Sequence, residues 1–261
     1  MVTGEQLKSI MPRLSDTRNG ELLPFLTAAM TEFAIDTPAR AAAFLAQLAP
    51  ESGQFRFMEE IWGPTDAQRR YEPVTKLSAA LGNTDAGDGK RFKGRGPIQL
   101  TGRANYQRFG NLLSVDLLAD PPRAANPDVA FRVAGLFWSK KGLNELADVA
   151  TADAFTAITK RINGGTNGLA DRQAFYAAAR TVLGVADAPL SRGGTRGAAP
   201  IPTDEPAFDR GSEAIRAYGR QRRRRRATKA SPKRKATSRS GKKAPARKRT
   251  RKAVRSASKK R

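Results

Sequence analysis

Apolar residues recur at helical spacing through most of the first 184 positions, and the runs begin and end with capping chemistry. Thr37-Pro38 places a capping hydroxyl before a proline at a first helical position. It predicts a helix carried inward by Phe44, Leu45 and Leu48. Asn126-Pro127-Asp128 repeats that signature ahead of 129–141, with Gly142 where a C-terminal glycine is expected. Helical spacing returns over 152–162 and 169–183, the second run closed by Gly184. Alternating Val, Ile and Thr is scarce except around 96–101, the one place left for a strand. The pattern predicts a mainly α fold, one α-rich domain over 1–184 with long loops.

After that domain the pattern stops. Residues 185–210, rich in Gly, Pro, Ala and Asp, read as a flexible linker. Residues 211–261 read as a disordered tail, because Lys, Arg, Ala, Ser, Thr and Pro cannot bury enough apolar surface to offset ordering entropy.

The charge follows the same division. The chain nets +24, but 211–261 hold 23 of its 48 Lys and Arg and only Glu213 of its 24 acidic groups. The tail therefore nets +22 and the preceding 210 residues +2. A polycation of this kind suits anionic envelope polymers or nucleic acid. No aromatic residues interleave with the arginines of 222–226, so base stacking is not indicated.

The chain contains no cysteine and no histidine. That excludes disulfides, cysteine nucleophiles, Ser-His-Asp triads and the commonest zinc ligands. A general acid or base here must be a carboxylate, tyrosine or lysine. The N-terminal Met1-Val2-Thr3-Gly4-Glu5 lacks a charged stretch followed by an apolar one, so synthesis in the cytoplasm without a signal peptide is expected.

Glu51 lies seven residues after Phe44 and three after Leu48, on the apolar face of the predicted helix. A carboxyl losing its solvation there meets one requirement of a proton donor. Past the Ser52-Gly53 turn come Glu59 and Glu60. Spacing alone leaves two readings open: carboxyls facing across a cleft, or a partly buried structural Glu51 with solvated Glu59 and Glu60.

Longer words narrow the choice. AFLAQLAPESGQF (43–55), FMEEIWGPT (57–65), GNTDAGDGKRFKGRGPIQLTGRANY (82–106) and RINGG (161–165) occur in order. Together they resemble glycoside hydrolase family 19, the family of plant-type chitinases and many phage endolysins, over roughly residues 3–184. The resemblance implies a lysozyme-like fold and inverting hydrolysis of β-1,4 bonds in an N-acetylated aminosugar polymer, peptidoglycan or chitin, without a cofactor or metal. It implies Glu51 as general acid, Glu60 rather than Glu59 as general base, and Thr101 as the hydroxyl that helps hold the attacking water. Gln99, Asn105, Asn163 and Arg172 fall on positions lining the sugar cleft, with Arg172 beside the base. Inversion implies carboxyls about 6.5–9.5 Å apart. The implied partners are the polysaccharide and, for the tail, an anionic polymer. The domain is expected to act as a monomer on a cell wall or extracellular polymer.

Two positions depart from the family pattern. Pro50 replaces the histidine before the acid, and a proline there removes an N–H and crowds the Ala46 carbonyl. Pro73 and the VTKLSAA stretch replace a tighter link to the GNT word. The alternative function is therefore a weakly active or inactive protein that binds wall or nucleic acid. The glycines at 82, 87, 89, 94 and 96 do not fit a phosphate loop and are expected to let backbone approach a sugar chain. Trp138 reads as core, while Trp62 fits either cleft wall or core.

Overall fold

The computed structural model describes residues 1–186; from residue 187 the expected linker and basic tail lie outside them. Helices α1 (Gly4–Ile10) and α2 (Asp16–Glu32) lead to α3 (Pro38–Ser52). Three short helices follow: α4 (Asp66–Arg69), α5 (Lys76–Leu81) and α6 (Asp88–Arg91). The fold then closes with α7 (Arg103–Leu113), α8 (Pro127–Lys140), α9 (Leu143–Asp148), α10 (Ala152–Asn163) and α11 (Leu169–Leu183). No helix among the described residues is long and apolar enough to cross a membrane.

The capping signals act as read at Thr37 and Gly184, whereas Asn126 precedes α8 without a side-chain cap bond. Thr37 accepts from the Arg40 N–H with Pro38 in the first turn, and Gly184 closes α11 in the left-handed region. α3 is buried on every side from Ala41 to Ala49, so it forms the centre of the domain rather than an amphipathic wall. Its alanines let neighbours approach closely, and α11 and α9 pack on it. Trp138 of α8 meets Phe44 edge to face at 5.3 Å while its indole N–H donates to Asn144, which settles it as a core residue.

No strand forms at 96–101. Arg95 and Leu100 exchange backbone hydrogen bonds of 3.0 and 2.8 Å, and the Gln99 N–H donates to the Gly96 carbonyl at 3.1 Å. With Gly96 and Gln99 both at positive φ, the chain reverses before a ladder can extend. Isolated bridges pair Arg95 with Glu59 and with Leu100.

Between α3 and α7 lies a smaller cluster of Tyr71, Leu77 and Leu81, against which Trp62 packs. The stretch after Pro73 becomes α5, capped by Thr75, with Val74 exposed at positive φ. The loop before α7 is clasped by Arg103, whose guanidinium donates to the Asp88 and Asp85 carboxylates. Several of the glycines between 82 and 96 make room for the chain's own atoms, while Gly87 faces open space. A Cβ on Gly82 would stand 2.6 Å from that of Ala104, and one on Gly89 would stand 2.6 Å from Glu72 Oε1.

Candidate active site

Two groups of buried polar residues form on either side of the turn that follows α3. The first is built around Glu51. α3 continues past Pro50 to Ser52, so the proline does not end the helix. Gly53, Gln54 and Phe55 then all adopt positive φ, turning the chain back. The Ser52 hydroxyl stabilises that turn by accepting from the Phe55 N–H at 2.8 Å, and Phe55 inserts against Phe131.

Glu51 is only 5% exposed, as its position on the apolar face predicted, yet its surroundings are charged. Arg172 of α11, itself 2% exposed, pairs through Nη2 with Glu51 Oε1. Its Nη1 donates at 2.8 Å to both the backbone and side-chain oxygens of Gln47. With its oxygen turned to the guanidinium, Asn163 accepts from Arg172 Nη2 and Nε at 3.1 and 3.2 Å. Arg172, expected beside Glu60, thus makes its carboxylate contact with Glu51. The reason is that α11 packs directly on α3, which puts the arginine against Glu51 at that helix's end.

The second group centres on Glu60, 2% exposed. The 58–60 segment lies against 94–96: the Glu60 N–H donates to the Gly94 carbonyl at 2.8 Å and the Gly96 N–H to the Met58 carbonyl at 2.7 Å. The Glu60 carboxyl accepts from the Gly94 N–H at 3.1 Å and from Gln68 Nε2 at 3.0 Å. Burial pushes this carboxyl above its ordinary pKa, against the opposing pull of those two donors and of the Lys93 charge.

Gly94 joins this group to Gln99, Thr101 and Asn105, the residues expected to face the sugar. Its missing side chain leaves Gln99 Oε1 at 2.7 Å and Thr101 Oγ1 at 3.3 Å from where a Cβ would stand. The Thr101 hydroxyl donates to the Gln99 carbonyl at 2.9 Å, and Asn105 Nδ2 donates to the Thr101 carbonyl at 2.8 Å. Gln99 Nε2 donates to the Gly96 carbonyl at 2.8 Å, while its buried Oε1 has no hydrogen-bond partner among the described residues.

Glu59 points elsewhere. Its side chain is 44% exposed and engaged by Arg95 at 2.8 Å and Lys93 at 3.4 Å. Trp62 is half-buried with its ring 6.2 Å from that of Tyr71, so part of its face is spent on the small cluster. Among the described residues no group of three or more Asp and Glu is arranged to hold a metal.

Three residues of the site were not read from the sequence. Gln47 sits one helical turn before Glu51, a spacing that places both on one face. Gln68 closes a Thr-x-x-Gln capping box with Thr65 and also donates to the Ile61 carbonyl, so a cap signal was present for it. Thr159 of α10, whose hydroxyl accepts from Gln47 Nε2 at 2.8 Å, had no local signal.

The sequence and the fold both have known relatives. The model of the family described as Chitinase class I matches residues 36–189, more than half of the chain. An Arabidopsis thaliana endochitinase is 41% identical over 126 residues, covering 48% of this chain and 39% of the relative. A glycosyl hydrolase family 19 domain-containing protein of Haemophilus influenzae is 36% identical over 160 residues, covering 52% of this chain and 76% of that one. The chain thus spans about two fifths of the plant relative's length. In fold it is similar to chitinase C of Streptomyces griseus, with a TM-score of 0.56 at 22% identity, covering 70% of this chain and 92% of that one. A class IV chitinase of Zea mays gives 0.53 at 24% identity, covering 72% and 95%.

Proposed function

Because the chain belongs to glycoside hydrolase family 19, we propose that it hydrolyses β-1,4 bonds between N-acetylated aminosugars with inversion, and that Glu51 and Glu60 carry the reaction. The observation that supports this most is the pair of buried carboxyls on either side of the 53–55 turn, Glu51 held by Arg172 and Glu60 by Gln68 and the Gly94 N–H.

Glu51, protonated from solvent before each turnover, gives that proton to the glycosidic oxygen as the bond to C1 breaks, with Arg172 holding the direction of the carboxyl. Glu60 takes a proton from water, which attacks C1 from the opposite face. The raised proton affinity that burial confers on Glu60 suits a base. Thr101, two residues after Gln99 in the same turn, helps hold that water, and Gln99, Asn105 and Asn163 bind sugar groups. Trp62 offers the remaining part of its ring to the polymer.

Chitin and peptidoglycan both present these bonds. The charge of 211–261 favours an anionic envelope as the setting, since a tail of +22 adheres to teichoic acid, lipopolysaccharide or nucleic acid. The non-catalytic alternative rested on Pro50, through which α3 runs on to Ser52, and the same assay decides between it and catalysis. The test is a paired assay: release of oligomers from chitin against loss of turbidity in purified cell walls, with NMR of the first product. Cleavage of either polymer with the α-anomer appearing first is expected. A β-anomer first, or no cleavage of either, overturns the proposal.

A further inference from the structure

The proposed reaction leaves one buried polar chain without a role. Gln47 and Thr159 are both fully buried, on α3 and α10, 112 positions apart. The Thr159 hydroxyl donates to the Phe155 carbonyl of its own helix at 3.1 Å, so its lone pairs face away from α10. They accept from Gln47 Nε2 at 2.8 Å. With the nitrogen of the carboxamide committed to Thr159, the oxygen must face the other way, where it accepts from Arg172 Nη1.

The consequence is an ordered relay. An amide that can be flipped offers a guanidinium either an acceptor or a repelling donor. Thr159 removes that choice. The Nη1 edge of Arg172 is then held by both oxygens of Gln47, and the Nη2 edge is left facing Glu51. Two apolar side chains would fill the same space between α3 and α10 without any buried polar atom to satisfy.

We propose that Gln47 and Thr159 are positioning residues that fix the Arg172 guanidinium and, through it, the direction of the Glu51 carboxyl. The inference rests on Glu51 being the proton donor. A donor must aim at the glycosidic oxygen, and about 1 Å of misplacement can cost a hundredfold in rate.

The experiment measures kcat and KM on the soluble N-acetylglucosamine hexamer for the full chain. Thr159→Val removes the hydroxyl at nearly constant volume, so kcat is expected to fall by at least about tenfold while KM stays within about twofold. Thr159→Ser keeps the hydroxyl and is expected to restore most of kcat. A packing role would instead leave Ser and Val equally impaired, and that result, or a Val variant as fast as the natural protein, overturns the proposal. Gln47→Glu provides a second reading should Thr159→Val fail to fold. It keeps an oxygen for Nη1 but sets a second carboxyl competing with Glu51 for one guanidinium, so kcat should fall with KM retained; unchanged kcat overturns the proposal. Glu51→Gln is measured alongside. If that variant keeps full turnover, the assignment of Glu51 fails and this proposal with it. If it is inactive while Thr159→Val is not slowed, only the positioning role fails.

Discussion

Arg172 and Glu51 stand 121 positions apart in the chain and meet as a buried ion pair where α11 packs on the end of α3. The same guanidinium holds the Gln47 carbonyl one turn earlier, so the carboxyl and the helix that carries it are gripped together. This ties the direction of Glu51 to helix packing rather than to solvent.

Glu51→Gln is expected to lower turnover by at least about a hundredfold with the fold intact, since general acid catalysis contributes roughly 10²–10⁴. Arg172→Ala leaves a buried carboxyl without its cation and should cost about 3–5 kcal/mol of stability. Arg172→Lys keeps the charge but loses the fork that reaches Gln47 and Glu51 at once, so it should fold and turn over slowly. Steady-state kinetics with thermal melts check all three; a fully active, folded Glu51→Gln protein would remove it from the reaction.

Glu60 provides a pH signature. Its pKa is raised from an ordinary 4.5 by burial, so folding favours the protonated form. That contribution is fully present below the unfolded value and is lost as pH rises through the raised folded one. Melting curves of the natural protein and Glu60→Gln across pH should therefore show the difference moving against the natural protein as pH rises above 4.5. Turnover needs the charged base, so the acid limb of the rate profile should lie above the ordinary carboxylate range. Glu60→Gln should abolish most activity and Glu59→Gln little of it; the reverse order would move the base to Glu59.

Gly94→Ala tests the join between base and sugar-side residues. Its Cβ would meet Gln99 Oε1 at 2.7 Å, so Gln99 must move, and both KM and kcat should worsen. Gly20→Ala is the control. In α2 its Cβ meets nothing within 4 Å, and the change should stabilise by about 0.5–1 kcal/mol without altering kinetics. Equal behaviour of the two variants would mean that Gln99 yields at no cost.

Deleting 211–261 should leave cleavage of small soluble oligosaccharides nearly unchanged. Binding to anionic walls or DNA should fall sharply and lose its steep salt dependence, because the remaining 210 residues net only +2. Sedimentation with purified walls across a salt series measures this. Salt-sensitive binding retained by the shortened chain would place the anion site on the folded domain.

Pro50 lies in the last turn of α3, where it has no N–H to give the Ala46 carbonyl. Pro50→His restores the family residue and that donor. The variant is expected to melt higher, by up to about 3 kcal/mol in stability, and to turn over faster on the preferred polymer without changing the preference. Equal melting temperature and equal turnover would mean that the helix end already accommodates the proline.

How much of this was legible beforehand follows from the range of each signal. Caps and helical spacing act over three or four residues, so Thr37-Pro38, Asn126-Pro127 and Gly184 marked their helix ends, and Glu51 was correctly put on a buried face. The family words identified the fold because they run in order along one chain. What stands opposite a residue is another matter. Arg172 on Glu51 and Gln47 on Thr159 depend on how α3, α10 and α11 pack, across separations of 121 and 112 positions that no local pattern encodes. The sequence by itself determined the helices, the charge segregated to one end and the residue types available for acid and base. Only the tertiary structure decided that the arginine lies on Glu51, that some glycines answer to neighbouring side chains and that a glutamine and a threonine line up behind that arginine. A side chain's partner is chosen by the closing of the core, and each of these choices joins segments that meet only when the helices dock.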